Sequence, residues 1–353
     1  MPPCPRGAPR PAAGRGRRRR LQRAAALGPG RTGRRARRRP RPARAQVLHG
    51  QRRDDRLRRR ALPPRGAFPS AHAQRPGPAP ARSRSLSPKK SLGQHFLHRQ
   101  AVIQRILRAL DPKAEDHVLE IGPGRGALTL PLAERVGRLL LVEKDRELAA
   151  WLRERLAGFP VEVLEGDFLE LDWREVEARL GSNLKIVSNL PYNVGTAIFT
   201  KLLRATAPGT EMVLMFQKEV GERLTAKPAS KAYGSLSVFT QLAAECRTVC
   251  VVSPSAFRPP PKVESLVLRF RKREAPLLPQ EQWEYFEVCL HDGFAQRRKM
   301  LRQNLRAFFG HASAAEVEAR LAATGAKPQA RAEELSVEQW TALFKARSAS
   351  PPD

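Results

Sequence analysis

The sequence predicts an α/β fold: a parallel, doubly wound sheet, then a small all-helical C-terminal domain, preceded by a disordered basic extension. Three observations carry this. Short apolar runs ending in polar residues alternate with stretches of helical periodicity between residues 98 and 270. From residue 280 to residue 345 only helical periodicity remains. The charge, finally, is unevenly spread. Residues 1–90 hold 28 basic and 2 acidic side chains, a net of +26, whereas residues 91–353 hold 37 basic and 32 acidic, a net of +5.

The extension also takes 15 of the 31 prolines and a single aromatic, Phe68. Runs such as Arg17-Arg18-Arg19-Arg20 cannot bury enough apolar area to offset the entropy of ordering, so residues 1–88 are expected to be disordered. Three readings compete for them. One is a solvated polyanion-binding tail. A second is an organellar transit peptide, although Pro and Gly break any amphipathic helix. The third, which we favour, is GC-rich sequence translated from a start placed too far upstream. No run of about 18 apolar residues exists, so no membrane helix is expected. Cys4, Cys246, Cys250 and Cys289 make neither a disulfide framework nor a metal-ligand spacing, so no metal is expected. The N-terminus has no apolar stretch behind its charges, which argues against a secretory signal and for the cytoplasm.

Along the ordered part, Ile103, Ile106, Leu107 and Leu110 recur at helical spacing, predicting a helix over 98–110 closed by Asp111-Pro112. The first strand is 117–121, stopping at Gly122-Pro123-Gly124-Arg125-Gly126. Further strands are 139–142 into Glu143, 161–164 into Gly166-Asp167, 185–187 into Ser188-Asn189, and 211–216 into Gln217-Lys218. Helical stretches 127–136, 146–157, 174–180 and 195–204 alternate with them. Runs 246–252 and 263–270 are joined by a Pro-rich loop with no helix between, which predicts an antiparallel hairpin at the sheet edge. The domain boundaries are therefore expected at 89–275 for the sheet and 276–345 for the helices, with a tail at 346–353.

In an open α/β sheet ligands bind beyond the carboxyl ends of the strands, so the polar residues ending these runs should meet in one cleft. Gly122, Gly124 and Gly126 let a ligand approach the backbone closely, although a structural turn would read the same. Glu143 is placed to accept from both hydroxyls of a ribose, and Asp167 from an adenine amino group. Glu120, just before the glycines, suits a cationic ligand better than the pyrophosphate that a helix N-terminus would favour. S-Adenosylmethionine, an adenosine-bearing sulfonium, meets all these demands.

Asn189-Leu190-Pro191-Tyr192 ends the fourth strand. The exocyclic amine of adenine or cytosine is a poor nucleophile, because its lone pair is delocalised into the ring. An amide oxygen on Asn189, with a backbone carbonyl beside it, can bind the amine hydrogens and favour a pyramidal nitrogen. Pro191 stiffens the turn, and Tyr192 offers a face on which a base stacks, worth about 1–3 kcal/mol. Orientation and electrostatics then suffice, with no strong base and no metal. An Asn-Pro turn with a packed Tyr is the alternative.

Three segments, Gln94-His95-Phe96-Leu97, Glu120 to Thr129 and Asn189-Leu190-Pro191-Tyr192-Asn193, together resemble the ribosomal RNA adenine dimethyltransferases, closest to the bacterial small-subunit dimethyltransferase A family. Phe216-Gln217-Lys218-Glu219-Val220, Phe257-Arg258-Pro259-Pro260-Pro261-Lys262-Val263 and Phe294-Ala295-Gln296-Arg297-Arg298-Lys299 agree with it. The resemblance covers about residues 88–345. It implies a Rossmann-like S-adenosylmethionine-dependent methyltransferase sheet with a helical C-terminal domain. The implied reaction is N6,N6-dimethylation of two adjacent adenosines near the 3′ end of small-subunit rRNA, within a pre-small-subunit particle, by a monomer with a role in subunit biogenesis. It also implies cofactor contacts at His95 (often Asn in the family), Leu97, Gly122, Glu143, Asp167 and Asn189, and target-base contacts at Asn189, Leu190, Pro191 and Tyr192.

An RNA-facing surface can be read independently. Over 294–308, Phe294, Leu301, Leu305 and Phe308 lie at helical offsets and should face the core, leaving Arg298, Arg302 and Arg306 as a basic stripe. A plain solvated face fits the stripe as well. Arg258 and Lys262 flank the triple proline and could grip an RNA backbone near the cleft. Two rivals share parts of this reading: a large-subunit adenine methyltransferase of the resistance type, and a non-catalytic RNA- or polymerase-binding factor on the same fold.

Overall fold

The computed structural model describes residues 87–89, 92–182 and 184–348. The basic extension up to residue 86 lies outside the described residues.

The parallel strands are β2 (His117–Ile121), β3 (Arg138–Glu143), β4 (Val161–Glu165), β5 (Lys185–Asn189) and β6 (Glu211–Gln217), with β1 (Phe96–Leu97) preceding them. With β7 (Ala244–Val252) and β9 (Ser265–Lys272) they form a seven-stranded sheet of order β4-β3-β2-β5-β6-β9-β7. β9 runs antiparallel to both its neighbours, so the expected hairpin is present and β7 is the outer strand. The short β8 (Phe257–Arg258) leaves this sheet and pairs antiparallel with β1, Phe96 opposite Arg258 and Leu97 opposite Phe257.

Side-chain alternation explains why the strands read as unbroken apolar runs. Val118, Leu139, Leu141 and Val187 enter one buried cluster, while Leu119, Leu140, Val142 and Ile186 enter another on the opposite face. A parallel sheet covered on both sides needs apolar residues at every position. The first face is covered by α1 (Gln100–Leu110), α2 (Thr129–Ala133) and α3 (Arg146–Arg155). α1 buries Val102, Ile103, Ile106, Leu107 and Leu110, and stops at Asp111 in the left-handed region (φ 48°). The second face is covered by α4 (Trp173–Leu180), α5 (Gly195–Ala205) and α7 (Ser235–Ala243). Asp145 and Asp172 cap α3 and α4 by accepting from Glu147 N and Arg174 N.

Two elements were not expected from periodicity: α6 (Lys218–Thr225) and α7, both between β6 and β7. α2 is also shorter than the predicted stretch. The C-terminal helices are α8 (Trp283–Phe294), α9 (Leu301–Asn304), α10 (Ala314–Ala323) and α11 (Val337–Ser348), so the chain stays helical past residue 345. Trp283, Phe286, Leu290, Leu301 and Trp340 belong to the same buried cluster as the second face of the sheet. An Arg204–Glu287 ion pair joins α5 to α8.

The stretch 294–308 is not one helix. The Asn304 side chain donates to the carbonyls of Gly293 (2.7 Å) and Gln296 (3.2 Å), closing α8, and the chain turns before α9 starts. Leu301, Leu305 and Phe308 are buried as expected and Phe294 half-buried. The regular basic stripe is lost, however, because the arginines no longer share one helix.

Gly293 lies where α8 meets α11. A Cβ there would sit 2.4 Å from Cη2 of Trp340, a ring with no exposed surface, and 3.2 Å from Leu301 Cδ1. Gly293→Ala is therefore expected to lower unfolding stability by about 1–3 kcal/mol, overpacking outweighing the better helix propensity of Ala. Urea unfolding followed by tryptophan fluorescence measures it; an unchanged midpoint would refute the tight contact.

Candidate functional site

The strands β2 to β5 end on one side of the sheet, and the residues after them line one cleft that opens to solvent. Its wall holds Glu120, Gly122, Gly124, Glu143, Asp167, Asn189 and Tyr192, together with residues 92–97. Gly122 (φ +65°) has nothing within 4 Å of where a Cβ would stand. Gly124 (φ +57°) is pressed by the Phe96 ring, at 3.1 Å from such an atom. Both conformations are costly for residues with a Cβ, which is why glycine occupies them.

Glu143 fixes that turn. Its Oε2 accepts from Gly124 N at 3.0 Å and its Oε1 from Asp145 N at 2.8 Å. Burial pushes its carboxyl up, and the backbone N–H groups of Asp145 and Gly124 pull it partly back. Asp145 in turn accepts from Lys89 Nζ (2.8 Å) and Gln94 Nε2 (3.1 Å), which ties the N-terminal segment over the cleft. Lys89 and Asp145 were not singled out in the sequence, and nothing in their spacing marks them.

At the β4 end, Asp167 accepts from Lys144 Nζ at 2.8 Å and from Leu169 N at 2.9 Å. Burial opposes its ionisation, but these partners outweigh it and hold the carboxyl below its ordinary value.

The β5 end builds the other half of the cleft. Asn189 Nδ2 donates to the His95 carbonyl at 3.1 Å, which turns the amide so that Oδ1 is the atom not used in that bond. Leu190 is buried, and its N donates to Met215 O on β6. Pro191 O accepts from Val194 N, leading the chain into α5. The Tyr192 hydroxyl lies 2.6 Å from Ser265 Oγ, and its ring stacks on His95 with centroids 5.6 Å apart at 28°. His95 Nδ1 also contacts Pro259 O at 2.8 Å. The expected site residues therefore converge, but His95 meets Tyr192 through its ring and Asn189 through its carbonyl, and the Leu97 side chain is in the core. Ser265 escaped sequence reasoning because a serine at a strand start carries no pattern.

Residues 86–348 match the sequence model of the family described as Ribosomal RNA adenine dimethylase. The chain belongs to this family. Proteins named Ribosomal RNA small subunit methyltransferase A are similar to it: that of Synechococcus elongatus is 42% identical over 264 residues, covering 72% of this chain and 93% of the relative. That of Geobacter metallireducens is 39% identical over 270 residues, covering 76% and 98%. Among solved structures, a dimethyladenosine transferase from Plasmodium falciparum superposes with a TM-score of 0.61 at 23% identity, over 72% of this chain and 98% of that one. The 23S rRNA methyltransferase ErmE gives 0.57 at 29% identity, over 72% and 99%.

This rRNA adenine dimethylase is a Rossmann-like methyltransferase, and its methyl donor is S-adenosylmethionine. The residues present fit that cofactor. The open backbone at Gly122 admits a ligand against the turn, Glu143 and Asp167 supply acidic acceptors, and Glu120 is a buried acid whose Oε2 has no hydrogen-bond partner among the described residues. Burial pushes the Glu120 carboxyl up to about 8; the Thr129 hydroxyl beside it lowers it in part, and the charge on Glu143 adds to the rise. Burial therefore favours the protonated form of Glu120 in the cofactor-free protein.

Of the five cations expected to face RNA, Arg258, Lys262 and Arg298 are exposed, whereas Arg302 is half-buried and ion-paired with Glu318. Arg306 donates to Ala312 O. Among the described residues no helix is long and apolar enough to cross a membrane.

The Glu120 proton has a measurable consequence. A carboxyl raised from 4.5 to about 8 by folding stabilises the folded state fully below pH 4.5, and that contribution is lost as pH rises to about 8. The stability of the cofactor-free protein relative to Glu120→Gln should therefore fall by about 1.4 kcal/mol per pH unit across that window. Urea unfolding of both proteins between pH 5 and 8 checks it; parallel pH curves would show that Glu120 is ionised when buried.

Proposed function

We propose that this chain dimethylates N6 of two adjacent adenosines near the 3′ end of small-subunit rRNA, acting as a monomer on a pre-small-subunit particle. The observation that carries the reading is the corner formed by Asn189 and Tyr192 on the rim of the cofactor cleft. Bound S-adenosylmethionine supplies an electrophilic methyl group on a positively charged sulfur. The chain supplies placement. Glu143 accepts from the ribose hydroxyls and Asp167 from the adenine amino group of the cofactor. Asn189 Oδ1 accepts an N–H of the target amine, so that the nitrogen lone pair faces the cleft. Tyr192, its ring held by Ser265 and by His95, stacks the flipped base. No side chain at this corner is a strong base, and the proton displaced from nitrogen passes to solvent. Arg258, Lys262 and Arg298 contact RNA phosphates around the cleft. Arg302, held by Glu318, serves the helical domain first.

Identity of 39–43% to relatives named for the small subunit favours that substrate over the large subunit. A binding factor without catalysis would have no use for the glycines, Glu143, Asn189 and Tyr192 together.

Small subunits lacking the modification should take up labelled methyl groups from S-adenosylmethionine in the presence of the purified protein, and primer extension should stop at two adjacent adenosines near the 3′ end. Uptake by large subunits alone would defeat the proposal, as would subunit binding without methylation. Asn189→Ala should keep subunit binding and lower kcat by about 10²–10³-fold, the usual cost of removing one aligned polar contact to a reacting group.

A further inference from the structure

The geometry points to Lys201 of α5 as a positioning residue for cofactor recognition: it holds the turn after β4 and, through one peptide group, the carboxylate of Asp167 and, through the next, the Asp167 main-chain carbonyl. The inference rests on the reading above that Asp167 accepts from the cofactor's adenine amino group.

An ammonium has three N–H donors and no acceptor. Lys201 Nζ lies 2.8 Å from Phe168 O, 2.9 Å from Leu169 O and 2.6 Å from Leu171 O, one carbonyl for each donor. It also stands 5.2 Å from the centroid of the Phe168 ring, a cation–π distance. The carbonyls of a turn this tight all point one way, and an apolar side chain beneath them would leave three acceptors unpaired.

The route to Asp167 follows from the trans peptide, whose C=O and N–H point in opposite directions. The peptide joining Phe168 to Leu169 gives its oxygen to Lys201 and its N–H to Asp167 Oδ1, at 2.9 Å. The next peptide, Leu169 to Glu170, gives its oxygen to Lys201 and its N–H to the Asp167 carbonyl, at 3.0 Å. Each peptide is thus bonded at both ends, with the ammonium on one side and Asp167 on the other. In such a chain each bond polarises the next, so the cation strengthens both N–H donors. Lys144 fixes the second carboxylate oxygen. Asp167 is aimed by two lysines, one in direct contact and one through the backbone. Burial lowers the proton affinity of Lys201, and the charges of Asp167 and Asp172 act in the opposite direction.

Lys201 sits on the helix that leaves the Asn189–Tyr192 corner, so the same element that carries the target-base residues also braces the cofactor's adenine turn. The two half-sites are therefore registered to each other by one side chain.

Lys201→Met keeps the apolar stem and removes the three donors; Lys201→Arg keeps the charge and several of them. Binding of S-adenosylmethionine and of S-adenosylhomocysteine to the full-length protein is measured by calorimetry, with steady-state kinetics on small subunits. Lys201→Met should weaken both ligands about tenfold, the scale of one charge-assisted contact network, and raise the KM for S-adenosylmethionine equally. The KM for subunits and kcat should stay within about twofold, on the same grounds. Lys201→Arg should recover part of the loss. Hydrogen exchange at Leu169, Glu170 and Leu171 should speed up in the Met variant while the β2 and β3 amides are unchanged. If both ligands bind Lys201→Met as they bind wild type, the assignment is wrong. It is equally wrong if kcat falls, both KM values rise and exchange speeds up throughout the protein, which is the mark of a general folding defect. Wild-type protein that binds neither ligand would instead overturn the cofactor reading.

Discussion

The cleft depends on one buried carboxylate. Glu143 ends β3 and spends one oxygen on Gly124, after β2, and the other on Asp145, at the start of α3. Two strands and a helix are thereby set in register at the point where a ligand must enter. Asp145 passes the constraint outward to Lys89 and Gln94, so the segment that covers the cleft is anchored to the same node. A buried acid tolerates this position because backbone N–H groups approach both its oxygens, which is the condition for keeping a charge away from water. Glu120, 23 residues earlier on the neighbouring strand, has no such donors at Oε2, and burial pushes its carboxyl up without backbone N–H groups to pull it back. Burial raises both acids, and the backbone N–H groups that meet Glu143 offset that rise in part.

Beneath the cleft the sheet separates two cores, and the C-terminal helices extend one of them instead of building their own. Trp283, Phe286 and Trp340 are continuous with the face that α5 covers, and Arg204 on α5 is ion-paired with Glu287 on α8. α5 therefore touches three things at once: the Asn189–Tyr192 corner at its start, the turn after β4 through Lys201, and the C-terminal helices at its end.

Much of this could be read from the residues. The five parallel-sheet runs, the closing hairpin and the cleft at the strand ends all follow from alternation of period and from polar residues at fixed positions. What could not be read falls into two kinds. α6 and α7 were missed because they lie between two strands whose apolar runs dominated the pattern, and α7 is buried nearly all round, Ser237 and Thr240 along with Val238, Phe239, Leu242 and Ala243, so that no amphipathic stripe marks it. The arginine stripe was misread because Asn304 ends α8 by reaching back to Gly293 and Gln296, a tertiary bond that local spacing does not announce. Among site residues, Gly122, Glu143, Asp167, Asn189 and Tyr192 were visible because each ends a run or sits in a motif. Ser265, Lys144 and Lys201 were not, since their importance lies in a partner far along the chain.

The pairing of β1 with β8 places Phe96 beside Arg258, residues separated by more than 150 positions. His95 likewise reaches Pro259, and Tyr192 reaches Ser265. On a ribosome that emits the chain from its N-terminus, the strands whose ends form the cleft are complete long before this rim exists. Loop closure over such a distance comes late. The nascent protein therefore has the floor of the cleft early, but the proposed place for a base is closed only when residues 257–265 have emerged.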